Sequence, residues 1–315
     1  MSLIIPTYHY VRDFRNTRYP DIKGLDINEF EFQINHLNTN YTILSPADVK
    51  RKIIEKIPFE DHDCWLTFDD GYKDHFEYVR PLLNKLGVKA SFFPPVATAL
   101  NRTILDVNLI HHILAVNSDK ELISQEIKDI YFEIEVAHSD YNFEKIISTI
   151  DIPNEMISHP YDDKETLIIK RLLQRDLPEM IRATISEKLF QKYVSSDIES
   201  FAGDLYMSID EIEQLHQEGH EIGSHGYNHC WLSRLDYKKQ LDEIQKTKEF
   251  WLERGVFKEN WTICYPYGDF NEDTINISKD CGVLIGLTVE HGIASMKKND
   301  MLTLPRVDTN ELPKQ

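Results

Sequence analysis

Cysteine is scarce in this chain, and its four copies stand apart: Cys64, Cys230, Cys264 and Cys281, with no CxxC pair. Such spacing argues for reduced thiols over a disulfide scaffold or a cysteine-rich zinc site. Long apolar runs are also missing: no stretch approaches the roughly 20 apolar residues of a membrane-spanning helix. Positive charge is in deficit, with 35 basic against 53 acidic residues and a net charge of −18. That balance argues against a nucleic-acid partner and an anionic membrane surface, and it suits a neutral or cationic substrate. The N-terminus has no basic flank and too short an apolar run for a signal peptide, so a cytoplasmic location is expected. No internal repeat or low-complexity tract is visible. What remains is an ordinary globular composition, 41% apolar and 28% charged, in a 315-residue chain long enough for one large domain or two.

The chain is organised around Leu66-Thr67-Phe68-Asp69-Asp70-Gly71. Trp65, Leu66 and Phe68 are apolar or aromatic, Thr67 is β-branched, and Gly71 permits a sharp turn, so this reads as the end of a buried strand. Two adjacent carboxylates there are costly. Desolvation and mutual repulsion both raise their pKa values, so the pair calls for a cation or a proton nearby. The alternative is an exposed turn with Asp as turn former.

Leu3 to Tyr8 reads as a strand running into His9-Tyr10-Val11, and 27–37 as a helix with Phe30, Ile34 and Leu37 on one face. A strand is expected over 41–44, and Ser45-Pro46 fits a helix start. Pro81 opens a helix that ends at Gly87, and a strand follows over 88–93. Strand–helix alternation of this kind predicts parallel pairing through crossover helices. Residues 98–205 differ: Ile123, Ile127, Ile130 and Ile134, then Ile181, Ile185 and Leu189, recur at helical spacing without a chemical cluster. This segment is expected to be a mostly helical insertion or cap, and its His111, His112, His138 and His159 are assigned no role. The earlier alternation resumes at Ser208, which with Glu211 has the form of a capping box. A short strand over 220–223 then delivers His225-Gly226-Tyr227-Asn228-His229. Two histidines at i and i+4 share one face of a helical turn and can share one metal ion. Further elements are expected at 237–254 (helix), 261–264 (strand), 265–269 (turn), 271–279 (helix), 283–288 (strand) and 302–308 (strand).

Taken in order, Thr67-Phe68-Asp69-Asp70-Gly71, His225-Gly226-Tyr227-Asn228-His229, Tyr265-Pro266-Tyr267-Gly268 and Leu304-Pro305-Arg306-Val307-Asp308 resemble the signature of the polysaccharide deacetylases, carbohydrate esterase family 4 or the NodB-homology domain. The resemblance covers residues 1–97 and 206–310. It implies an α/β fold, a distorted (β/α)7-type barrel with its site at the C-terminal strand ends. The barrel is thus expected to take 1–97 and 206–315, with 98–205 as the insertion. It also implies metal-dependent removal of N- or O-acyl groups from sugars, with Asp70, His225 and His229 as ligands and Asp69 as catalytic base. One carboxylate and two imidazoles suit zinc, with cobalt, manganese or nickel as alternatives. The backbone N–H of Tyr267 is the implied oxyanion donor.

Two departures from the family pattern stand out. No late Leu-x-His stretch supplies a general acid; Tyr8-His9-Tyr10-Val11 resembles the circularly permuted version, so His9 is expected to be the acid, with His291 as the alternative. No Arg precedes the Pro-Tyr-Gly stretch to orient the base, and Arg306 is expected to supply that charge unless it pairs with Asp308. Tyr265, Pro266, Tyr267, Arg306 and Asp308 are placed on the substrate side, and Asp269 beside sugar hydroxyls. The resemblance thus implies a deacetylase for an acetylated amino sugar, in soluble, nucleotide-linked or lipid-linked form, on the way to a surface polysaccharide. Alternatives are a carbohydrate O-acetyl esterase and an inactive carbohydrate-binding protein on the same fold.

Overall fold

The computed structural model describes residues 2–135, 143–150 and 162–314. The chain divides into two compact units: Met1–Asp13, Gly24–Thr103 and Ala202–Gln315 form the first, and Phe14–Lys23 with Ile104–Phe201 the second. The loop Phe14–Lys23, expected with the barrel, therefore groups with the helices. Residues 98–103 and 202–205, expected in the insertion, group with the barrel.

The first unit is built on seven parallel strands, β1 (Pro6–Tyr8), β2 (Thr67–Asp69), β3 (Ser91–Phe93), β4 (Glu221–Ile222), β5 (Trp261–Cys264), β6 (Val283–His291) and β7 (Leu304–Asp308). Their order in the sheet is β5-β6-β7-β1-β2-β3-β4. The curled sheet is tied edge to edge at Ser224, whose N–H donates to the Thr262 carbonyl at 2.9 Å and whose carbonyl accepts from Cys264 N–H at 2.8 Å. Crossover helices cover the strands, which accordingly read as short, wholly buried runs such as Ser91-Phe92-Phe93 and Trp261 to Cys264. Tyr8, Phe68 and Phe92 sit opposite one another in register and stack at 5.0 and 4.9 Å. Phe30, from the helix Ile27–Asn40, packs edge-on against this row. Because strand side chains alternate, Phe68 facing the helix turns Asp69 toward the barrel interior.

Local signals set most boundaries. Ser45 caps Pro46–Ile54, Ser208 and Glu211 form a reciprocal capping box on Ile209–Gln217, and Asn271 caps Glu272–Asp280. Four expectations need correction. The strand over 3–8 is two pieces: Leu3–Ile4 pairs with Asp63–Cys64 in a separate small sheet, and Pro6–Tyr8 joins the barrel. The strand after Gly282 runs to His291, and the last strand begins at Leu304. Pro81 does not open its helix, since a five-residue π turn, His75–Val79, runs straight into Arg80–Leu86 before the left-handed Gly87.

The second unit is helical. Glu179–Tyr193 packs against Asp106–Val116, and Lys120–Glu135 against Glu179–Tyr193 and Lys164–Arg171. Ile123, Ile127, Ile181, Ile185 and Leu189 fill its core. His112 is buried there, its Nδ1–H donating to the Asn108 carbonyl at 2.8 Å. His138 and His159 lie outside the described residues. No helix among the described residues is long and apolar enough to cross a membrane.

Candidate active site

Asp69 is the last residue of β2, and the chain turns immediately after it: Asp70 has φ +68° and Gly71 φ +70°. Left-handed backbone at Asp70 is strained for a residue with a Cβ. Gly71 has no substitute, because a Cβ there would lie 2.7 Å from the Cβ of Pro94. The turn sends the two carboxylates into different surroundings.

Asp69 is buried and bound by Arg306 of β7 in bidentate fashion, Nη1 to Oδ1 at 2.9 Å and Nη2 to Oδ2 at 2.6 Å. Thr7 Oγ1 and Cys264 Sγ each donate to Oδ2 at 3.4 Å. Arg306 is held in turn by the Thr288 carbonyl at 2.8 Å. Burial pushes the Asp69 carboxyl up, but the Arg306 guanidinium overrides it and holds the group well below the usual carboxylate range. Arg306 is 2% exposed and committed to Asp69. It therefore orients the Asp69 carboxylate and does not pair with Asp308.

Asp70 meets the histidines. Its Oδ1 lies 3.4 Å from His225 Nε2 and 3.5 Å from His229 Nε2, and the two Nε2 atoms are 3.2 Å apart. Its Oδ2 accepts from the Tyr72 hydroxyl at 2.7 Å. His225 Nδ1–H donates to the Cys264 carbonyl at 2.7 Å, which turns the Nε2 lone pair toward the cluster. Burial, and then the neighbouring His225, push His229 down to about 3, leaving that imidazole neutral. The donor set fits a divalent cation. Two ligands of a tetrahedral ion with bonds of about 2.0–2.1 Å stand about 3.3 Å apart, close to all three separations here.

The two histidines do not lie on a helical turn as expected. Residues 224–230 are irregular, with Gly226 at φ +73° and His229 at φ +57°. Glu243, buried on the helix Tyr237–Glu253, holds this loop open. Its Oε2 accepts from the N–H groups of Tyr227 at 3.1 Å and Asn228 at 2.9 Å, and its Oε1 from the Asn228 side chain. Those bonds anchor the loop to that helix through the backbone of Tyr227 and Asn228. Sequence reading missed Glu243, although the signal was present: it shares the buried helical face with Gln240, Ile244, Thr247 and Trp251, where a carboxylate needs a reason.

His9 stands at the rim, its side chain 49% exposed and its Nε2 3.9 Å from Asp69 Oδ2. His291 is instead paired with Glu311 at 2.8 Å. Of the third stretch, Tyr265 is fully buried against Phe270, so its ring has no surface for a ligand, and Pro266 is buried as well. Tyr267, half-buried with φ +58°, stands edge-on to His229 at 4.6 Å and stacks on Trp231 at 4.3 Å. Trp231 was not singled out from the sequence. Asp269 accepts from the N–H and hydroxyl of Ser233, both at 2.7 Å, and Asp308 caps the closing turn by accepting from Asn310 N–H. Both carboxylates thus brace loops beside the site.

The family model for polysaccharide deacetylases matches residues 56–130 and 188–286, more than half of the chain. Asp69, Asp70, His225 and His229 fall inside the matched residues; His9 and Arg306 fall outside. YxkH of Bacillus subtilis (strain 168), whose name places it with the polysaccharide deacetylases, is 30% identical over 103 residues, 32% of this chain and 36% of that one. The match therefore spans about a third of that curated relative. Two solved structures share the fold. The Streptococcus pyogenes deacetylase PplD in complex with acetate has a TM-score of 0.58 at 17% identity, covering 99% of this chain and 93% of that one. IcaB from Ammonifex degensii has a TM-score of 0.58 at 15% identity, covering 98% and 91%.

Proposed function

The chain belongs to the polysaccharide deacetylase family, and from that premise we propose that it is a metal-dependent hydrolase that removes the acetyl group from an N-acetyl amino sugar. The observation that carries this reading is the convergence of Asp70, His225 and His229 beside a separate carboxylate, Asp69, that Arg306 keeps ionised. Asp70, His225 and His229 would hold a divalent cation, zinc first among the candidates, which when bound would supply Lewis acidity to the site. Asp69 takes the proton of the attacking water on Oδ1, which keeps a lone pair beyond its bond to Arg306 Nη1. The Tyr267 N–H is assigned to the oxyanion of the tetrahedral adduct. His9, reaching the rim from the end of β1, donates the proton that lets the amine leave as the C–N bond breaks. Half exposed, it can exchange that proton with solvent between turnovers.

The test is release of acetate and free amine by the zinc-loaded protein. The substrates are free N-acetyl amino sugars, nucleotide- and lipid-linked ones, and an acetylated oligosaccharide. We expect the soluble and carrier-linked forms to turn over ahead of the polymer. No release from any of them, with the cation shown to be bound, would overturn the reading.

A further inference from the structure

The segment that carries the proposed acid is gripped at four consecutive residues by the turn that follows the metal-binding aspartate. The His9 carbonyl lies 2.8 Å from His75 Nε2; a carbonyl only accepts, so Nε2 carries the proton. The Tyr10 ring stacks on Tyr72, centroids 4.1 Å apart. Asp74 accepts from the Val11 N–H and, at 2.8 Å, from Arg12 Nε. Tyr72 completes the link through its hydroxyl bond to Asp70 Oδ2.

His75 is the unexpected member. It is fully buried, boxed by the rings of Phe68, Tyr72 and Phe92 at 5.3, 5.6 and 5.9 Å. Its Nδ1 meets no polar partner among the described residues. Burial pushes its pKa down to about 4 and keeps it neutral. An apolar ring would fill this space without the desolvation cost of an imidazole. What the imidazole adds is one hydrogen bond, to the backbone of His9. It also opens the π turn His75–Val79, a rare geometry that recurs at functional sites.

We propose that His75 is a positioning residue for the general acid: together with the Tyr10–Tyr72 stack and the Arg12–Asp74 pair, its bond to the His9 carbonyl fixes the His9 imidazole beside Asp69, so that its proton reaches the leaving amine. This rests on His9 acting as the acid, as proposed above.

Leaving groups separate the possibilities. An amine must be protonated to depart, whereas 4-nitrophenolate departs unaided, so acid catalysis matters for an N-acetyl amino sugar and not for 4-nitrophenyl acetate. In the zinc-loaded protein, His75→Phe is expected to lower kcat on the amide by about tenfold or more. KM, zinc affinity and turnover of the aryl ester should stay unchanged. His75→Gln, whose amide N–H can reach the same carbonyl, restores most of the loss. Arg12→Gln, which frees the same segment without touching the aromatic box, gives the same split in smaller measure and serves if His75→Phe does not fold. His9→Gln gives the split in full. Equal slowing of both substrates by His75→Phe, or no rescue by Gln, overturns the positioning role while the His9 assignment stands. No split in His9→Gln overturns the acid assignment itself, and the inference with it.

Discussion

Asp69 and Arg306 exchange two hydrogen bonds across 237 residues of sequence, both buried. Removing one member of such a pair leaves an uncompensated charge. Arg306→Gln should therefore lower stability by about 3–5 kcal/mol, measured by urea unfolding at neutral pH. The pH dependence follows from the sign of the shift. Asp69 binds its proton less tightly folded than unfolded, so the pairing contributes in full above the unfolded value of about 3.9. That contribution is lost as the pH falls toward the depressed folded value. The gap in stability between wild type and Arg306→Gln should accordingly narrow steadily as the pH falls through the acid range. Asp69→Asn should bind the cation as wild type does while deacetylation falls by about 100-fold or more. At this scale the structure brings together residues that the sequence singled out: Asp70 lies beside His225 and His229, and Asp69 beside His9. The sequence could not choose the partner of Arg306. Asp308 was nearer in sequence, but the β7-β1-β2 strand order sets Arg306 against Asp69.

Among the elements, the His225–His229 loop departs furthest from expectation. The i, i+4 spacing suggests a helical turn, yet Gly226 and His229 take positive φ and the loop is irregular, anchored by the Glu243 carboxylate at Tyr227 and Asn228. Glu243→Ala should weaken cation binding by about 10- to 100-fold in a calorimetric titration, because the loop loses the anchor that aims its imidazoles. Glu243→Gln, which keeps one acceptor, should lose less. Where a boundary depends on neighbouring residues, as at the Ser208–Glu211 capping box or the strand Trp261–Cys264, it was legible. Where it depends on which sheet a strand joins, as at the break between Leu3–Ile4 and Pro6–Tyr8, it was not. The π turn ahead of Pro81 has no local sequence signal; it exists where His75 meets the His9 carbonyl.

For the molecule as a whole, strand order does what sequence order cannot. The chain enters through β1 and finishes on β7, and these two strands pair in parallel, Pro6 opposite Val307. That seam brings His9 and Arg306, from opposite ends of the chain, to Asp69 on the neighbouring strand β2. The bridge at Ser224 draws the His225 loop to the far edge of the same curl, next to Cys264 on β5. Parallel pairing was readable from strand–helix alternation, the barrel was implied by the family resemblance of the ordered motifs, and the solved structures that share the fold agree. The grouping of Phe14–Lys23 with the helical unit was not, since it rests on the packing of segments distant in sequence.

The most direct measurement strips the protein with a chelator, returns zinc in steps, and follows acetate release from an N-acetyl amino sugar against zinc bound per chain. Expected are no release at zero zinc, a linear rise that ends at one equivalent, and neither binding nor release when His225 and His229 are both replaced by alanine. Undiminished acetate release from metal-free protein would contradict metal-dependent hydrolysis.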